Sequence, residues 1–274
     1  MRRLWLVLGM ATTLVLTGLG GYLVTVGVTG PAATGAGPAP GPRPPTAAAP
    51  PPRPAPTVSV PPSPSPVLDL SDAGVRQGPS GSINGTGSQQ VALTFDDGPD
   101  PTWTPRVLDL LAEYDVRATF CMIGSQAAAH PKLVARVVAE GHSLCNHSWN
   151  HELDLGRSDA GTIRDNLERT NEAIHRGAPG APIDFYRQPG GEWTQTGIEV
   201  AGELGMSGLH WSVDPRDWDR ESSAGHIRTV VLNRLEPGGI VLMHDGGNNQ
   251  RAGCHALRRI LPELASRYRM VALA

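Results

Sequence analysis

Val91-Ala-Leu-Thr-Phe-Asp-Asp-Gly-Pro99 is the stretch on which the fold turns. Its first five residues form a short, β-prone apolar run that reads as a strand. Two carboxylates and a Gly-Pro turn follow. A helix is then expected from near Thr104, with Pro105 in its first turn and Val107, Leu108, Leu111 and Tyr114 on one face. A strand that ends in reactive side chains and passes through a turn into an amphipathic helix is the unit to look for elsewhere.

The unit recurs downstream. Strands are expected over Ala118 to Ile123, His142 to Asn146, Ile183 to Arg187, Gly208 to Val213, Gly239 to Met243 and Arg269 to Leu273. Between them, helical periodicity marks Leu133 to Gly141, Ser158 to Gly177, Thr196 to Leu204, Ala224 to Leu235 and His255 to Ser266. Strands alternating with helices predict a parallel sheet with right-handed crossovers, and this count predicts an α/β fold: a distorted (β/α) barrel of about seven parallel strands. Asp96 and Asp97, His147, Arg187, Asp214 and His244 each fall at or just past the carboxyl end of an expected strand. Such a barrel builds its site on that rim, so residues spread over 150 positions would converge there.

Upstream of this unit the composition changes abruptly. Of the 26 prolines in the 274-residue chain, 15 lie in the first 66 residues, a stretch with no Asp or Glu and four arginines. Positions 67–274 then carry 19 basic and 26 acidic residues, and this acidic balance excludes a basic stripe for nucleic acid. Leu4 to Val28 is uncharged and long enough to cross a bilayer, with Arg2 and Arg3 on its inner side. Residues 1–30 are therefore expected to be a signal anchor or a cleavable signal peptide, and 31–88 a disordered Pro/Ala/Gly-rich linker. The functional domain is expected over 89–274, as an extracytoplasmic monomer tied to the membrane by the N-terminal helix or secreted if the signal is cleaved. Cys121, Cys145 and Cys254 allow at most one internal disulfide. They read as small core hydrophobes, with a Cys121 to Cys145 bridge as the alternative.

Taken singly, the reactive segments have plain structural readings. Asp96-Asp97-Gly98-Pro99 is good turn chemistry. His147 and His151, spaced i, i+4, could lie unremarked on a surface turn, yet on one helical turn they would share a face and could share a cation. With a carboxylate from another strand end they would make a two-His, one-carboxylate set suited to a divalent transition metal. His244 meets solvent at the end of an apolar strand. Carboxylates in Asp214-Pro-Arg-Asp217-Trp218 could hydrogen-bond it and raise its pKa, making it an acid rather than a ligand.

Jointly these segments resemble the polysaccharide deacetylase family, the NodB-homology or carbohydrate esterase family 4 domain, from about Val91 to Ala274. Thr94-Phe-Asp-Asp-Gly-Pro99 is similar to its first motif, and His147-Ser-Trp-Asn-His151 to its second. Arg187-Gln-Pro-Gly-Gly191 is similar to the third, Asp214-Pro-Arg-Asp217-Trp218 to the fourth and Leu242-Met-His-Asp245 to the fifth. The resemblance implies that Asp97, His147 and His151 hold one divalent metal ion, zinc first among zinc, cobalt, nickel, manganese and iron. It implies Asp96 as general base and His244 as general acid, with Arg187 orienting Asp96 and Asp217 tuning His244. Gly190 stands where the family has an aromatic residue; it retains the backbone N–H used as an oxyanion donor. Trp193, three residues on, is expected to supply the missing groove wall, and Trp218 to support the groove beside His244. The implied reaction is deacetylation of an N-acetylated glycan. Peptidoglycan N-acetylglucosamine is the expected substrate, with chitin-like oligosaccharides, acetylated xylan or non-catalytic glycan binding as alternatives.

Overall fold

The computed structural model describes residues 67–68 and 76–274. The expected anchor and most of the expected linker lie outside the described residues. Among the described residues, no helix is long and apolar enough to cross a membrane.

The elements follow the expected alternation. Strand β1 is Val67–Leu68, β2 Val91–Asp96, β3 Thr119–Met122, β4 Ser143–Asn146, β5 Ile183–Tyr186, β6 Ser207–Gly208, β7 Ile240–His244 and β8 Met270–Leu273. Helix α1 is Thr104–Glu113, α2 Gly124–Ala129, α3 Pro131–Ala139, α4 Ala160–Gly177, α5 Gln195–Glu203, α6 Ala224–Arg234 and α7 Gln250–Arg267. The strands pair in parallel in the order β1-β8-β2-β3-β4-β5-β6, with β7 also against β2. All six residues of β2 are buried, which is why this strand shows an unbroken apolar run rather than alternation. Three helices begin on side-chain caps: Asp159 accepts from the Thr162 N–H, Thr194 from the Gly197 N–H and Ser223 from the His226 N–H.

The sheet curls into a half-barrel of about seven strands and does not close as a continuous barrel. The departure lies in the expected strand 208–213, where the regular strand is Ser207–Gly208 and stops after the first expected residue. Leu209 still donates its N–H to Tyr186 of β5, but His210 donates to Ile83, and Ser212 and Val213 donate to Ile240 of β7. One segment thus leaves one neighbour for another, and isolated bridges at Ile83–Leu209 and Val213–Val241 take the place of a ladder. The expected helix ending at Gly141 is α3, and a further short helix, α2, which the sequence pattern did not mark, precedes it; Pro131 starts a new first turn after His130.

Residues 76–88, assigned to the linker by composition, belong to the folded domain. Ile83 N–H donates to Gly208, and Thr86 N–H donates to Gly238 at 2.9 Å. Ser82 and Thr86 are buried. The segment is held by backbone hydrogen bonds, so its side chains show no hydrophobic period to read.

The cysteines also correct the favoured reading. Cys121 and Cys145 face each other in register on β3 and β4 and form a disulfide, while Cys254 is free and half-buried. The bridge sits among Ala92, Phe185, Leu209 and Ile240 on the inner side of the curled sheet.

Candidate active site

Strand β2 places Asp96 and Asp97 at its carboxyl end, where Asp97 takes a left-handed backbone with φ of 73°. That turn sends the two neighbouring carboxylates to different partners. Asp96 is buried and accepts from Arg187 Nη1 at 2.6 Å. The Arg187 side chain is fully enclosed, at 0% exposure. It also donates to Thr94 Oγ1 at 2.8 Å and to the carbonyls of Leu209 and His210 at 2.9 and 3.2 Å. A buried guanidinium with this many partners is a rigid support for the carboxylate it faces.

Asp97 faces two imidazoles. Its Oδ1 lies 3.5 Å from His147 Nε2 and 3.6 Å from His151 Nε2, and the two rings are 5.0 Å apart. The spacing of these histidines is helical, but the backbone between them is a turn: Ser148 and His151 both have positive φ. His147 Nδ1 is hydrogen-bonded to the Arg187 carbonyl at 2.8 Å, which fixes the ring with Nε2 toward Asp97. Burial would raise the Asp97 pKa, but His147, with His244 and His151, holds the carboxyl well below its usual range.

The donor set fits a divalent cation. Asp97 Oδ1 is buried with no hydrogen-bond partner, and the three ligand atoms lie within 4.8 Å of one another. A tetrahedral ion about 2.0–2.1 Å from its nitrogen and oxygen donors spaces them by about 3.3–3.4 Å, close to the separations seen here. Asp97, His147 and His151 therefore make an Asp-His-His metal site.

His244, at the end of β7, lies across the same cavity. Asp217 holds it twice, accepting from the backbone N–H at 2.9 Å and from Nδ1 at 2.8 Å. Burial would depress this imidazole, but Asp217, with smaller contributions from Asp97 and Asp96, pushes it up to about 10. Its surroundings favour the protonated imidazolium. The neighbouring Asp245 is pushed up to about 7 by burial, against the pull of its hydrogen bond from Thr104, which ties this strand end to the start of α1.

Asp96, Asp97, His147, His151, His244, Gly190 and Trp218 all line one cavity of about 490 Å³. Arg187 and Asp217 stand behind Asp96 and His244. Trp193 is not brought to this cavity. Its Nε1 donates to His210 Nδ1 at 3.0 Å and its ring packs edge-on against Tyr186, so it fills the region under α5. Leu153 stands at the groove wall instead, 53% exposed, facing Gly190; Trp218 is 40% exposed, and these are the two exposed large hydrophobic residues among the described ones. Sequence reasoning missed Leu153, since a single leucine in a polar loop has no period and no chemistry to mark it.

The profile of the family described as Polysaccharide deacetylase matches residues 84–209. A chitooligosaccharide deacetylase of Sinorhizobium fredii is 42% identical over 60% of this chain and 75% of its own length. A peptidoglycan-N-acetylglucosamine deacetylase of Bacillus cereus is 41% identical over 67% of this chain and 86% of its own length. This chain belongs to the polysaccharide deacetylase family. As a polysaccharide deacetylase of carbohydrate esterase family 4 it is a hydrolase. A solved peptidoglycan N-acetylglucosamine deacetylase in complex with an N-hydroxybenzamide compound superposes with a TM-score of 0.63 at 35% identity, covering 68% of this chain and 86% of that one. A family 4 acetyl xylan esterase from Clostridium thermocellum, in complex with a cobalt ion, has a TM-score of 0.62 at 33% identity, covering 66% and 87%. The deacetylase thus shares its fold with enzymes whose names carry three different substrates.

Proposed function

We propose that this deacetylase removes the N-acetyl group from N-acetylglucosamine residues of peptidoglycan outside the membrane, with zinc as its resident cation. The observation that carries the chemistry is the convergence of Asp96, held by Arg187, and His244, held by Asp217, with the Asp97-His147-His151 triad on one cavity. The uncharged stretch Leu4 to Val28 and the Pro-rich run behind it support an extracytoplasmic address, where a wall glycan is the nearest N-acetylated polymer.

A divalent cation held by Asp97, His147 and His151 supplies Lewis acidity to the acetamide carbonyl and lowers the pKa of water. Asp96, fixed by Arg187, accepts a proton as the water oxygen bonds to the carbonyl carbon. Gly190 offers its backbone N–H to the tetrahedral oxyanion. His244, held by Asp217 through Nδ1, delivers a proton from Nε2 to the amide nitrogen as the C–N bond breaks. Acetate and the free amine leave. No serine or cysteine nucleophile is needed.

Chitooligosaccharide deacetylation is the second reading, favoured by relatives of that name at equal identity. The two are separated by measuring acetate release from wall glycan, chitin oligomers and acetylated xylan with metal-stripped protein and after re-addition of each metal. Release from peptidoglycan restored by zinc supports the proposal, and release confined to chitin oligomers overturns its substrate. No acetate from any polymer with any metal would leave a glycan-binding module.

A further inference from the structure

A second cavity, of about 380 Å³, opens between α1 and α7. Two short chain segments connect it to the catalytic groove. The chain from Asp97 to Trp103 contributes its first residue to the groove and its last to this cavity, and the loop after β7 contributes Gly247 and Asn248 to the groove just before Arg251, in the first turn of α7, lines this cavity.

Two helical stripes face each other across it. Arg251, Cys254 and Arg258 recur at three- and four-residue spacing along α7, and Arg106, Asp109, Leu110 and Glu113 do so along α1. Arg106, Arg251 and Arg258 form no ion pair or hydrogen bond with any described residue, whereas Arg136, Arg157, Arg164, Arg187, Arg216 and Arg228 each hold a carboxylate. Asp109 is already taken by Arg136 at 2.6 Å. Glu113 is left as the sole uncommitted carboxylate on a wall with three uncommitted guanidinium groups. Burial raises the Cys254 pKa, so the thiol adds no negative charge. The Arg106 guanidinium lies over the Trp103 ring at 4.6 Å. In a chain with a net charge of -3, this concentration of unpaired positive charge is a local feature.

We propose that this cavity is a subsite for anionic groups, carboxylate or phosphate, carried on the glycan whose N-acetyl group occupies the neighbouring catalytic groove. Guanidinium forks recognise both groups by paired N–H donors. The inference rests on the deacetylase reading for its occupant, and it deepens that reading. Peptide-bearing wall glycan carries carboxylates close to its sugars, while N-acetylglucosamine oligomers carry none.

The test is calorimetric titration of the full-length, metal-loaded protein with trigalacturonate, with a glycerol phosphate trimer and with chitotriose, for the wild type and for R106Q/R251Q/R258Q. Saturable binding of trigalacturonate or of the glycerol phosphate trimer, at least ten-fold weaker in the triple variant and weakened by salt, supports the subsite and assigns the group. Turnover of chitotriose is expected to be the same in both proteins, which also shows that the variant is folded. Absence of binding by either anion, or equal binding by the triple variant, overturns the proposal. Anion binding that depends on the three arginines in a protein that releases no acetate supports the subsite while refuting the proposed reaction.

Discussion

Leu153 Cδ2 lies 2.9 Å from the point where a β-carbon on residue 190 would stand. Gly190 has φ of 64°, a left-handed conformation that costs a side-chain-bearing residue about 1–2 kcal/mol. Groove wall and backbone turn are thus matched to each other. Leu153→Ala is expected to raise KM on N-acetylglucosamine oligomers about five-fold, near 1 kcal/mol of apolar contact, with kcat little changed. Gly190→Phe is expected to lose both stability and activity, and Leu153→Ala on top of it to restore space but not the backbone cost. Full activity of Gly190→Phe with Leu153 in place would refute this account of the wall.

Asp96→Asn removes the proposed base without altering shape. Turnover is expected to fall about 10²- to 10⁴-fold while elemental analysis finds the metal retained. The variant should also unfold at lower denaturant, since Arg187 would keep a buried charge with no countercharge. Undiminished acetate release would remove Asp96 from the mechanism.

Metal binding should be visible without turnover. A cation that binds the folded Asp97-His147-His151 set raises the melting temperature by mass action, so added zinc is expected to stabilise the wild type. Asp97→Ala and His147→Ala are expected to show little or no such shift. Equal stabilisation of all three proteins would place the ion elsewhere.

His142 sets an acid limit on stability. Its ring is buried at the start of β4, accepts the Ala118 N–H on Nδ1 at 3.1 Å, and has its pKa lowered to about 4, chiefly by burial and then by Arg117 and Arg136. A histidine depressed in the folded state takes up its proton more readily when unfolded. Its contribution is therefore present above about pH 6.5 and is lost as pH falls toward 4, by roughly 3 kcal/mol at most. Denaturant titrations at pH 7 and pH 4.5 should show a smaller drop for His142→Gln than for the wild type; identical drops would contradict this.

The Cys121–Cys145 bridge, 24 residues apart, is expected to contribute about 2–4 kcal/mol by restricting the unfolded chain. The double alanine variant should lose that stability in equilibrium unfolding. A loss no larger than that of reduced wild type over oxidised wild type would assign the effect to the bond itself, whereas no loss at all would mean the bridge does not form in the isolated protein.

Much of this protein was legible along the chain because its chemistry is local to strand ends. Asp96 and Asp97, His147 and His151, and His244 each lie within a few residues of a buried apolar run, and parallel β/α topology carries such ends to one rim whatever their separation in sequence. The runs are visible because a strand buried on both faces must be apolar throughout. What stayed hidden depends on contacts with no signature of their own. Residues 76–88 are attached by backbone hydrogen bonds, which leave side chains free of pattern. The bridge between Cys121 and Cys145 depends on the register of β3 against β4. Trp193 turns inward because His210 accepts its N–H and Tyr186 meets its ring, and Leu153 takes the wall because Gly190 leaves room for it. Periodicity and strand-end chemistry belong to consecutive residues and can be read one segment at a time. Which distant side chain fills a given volume is settled by packing, and that is decided only when every segment is in place.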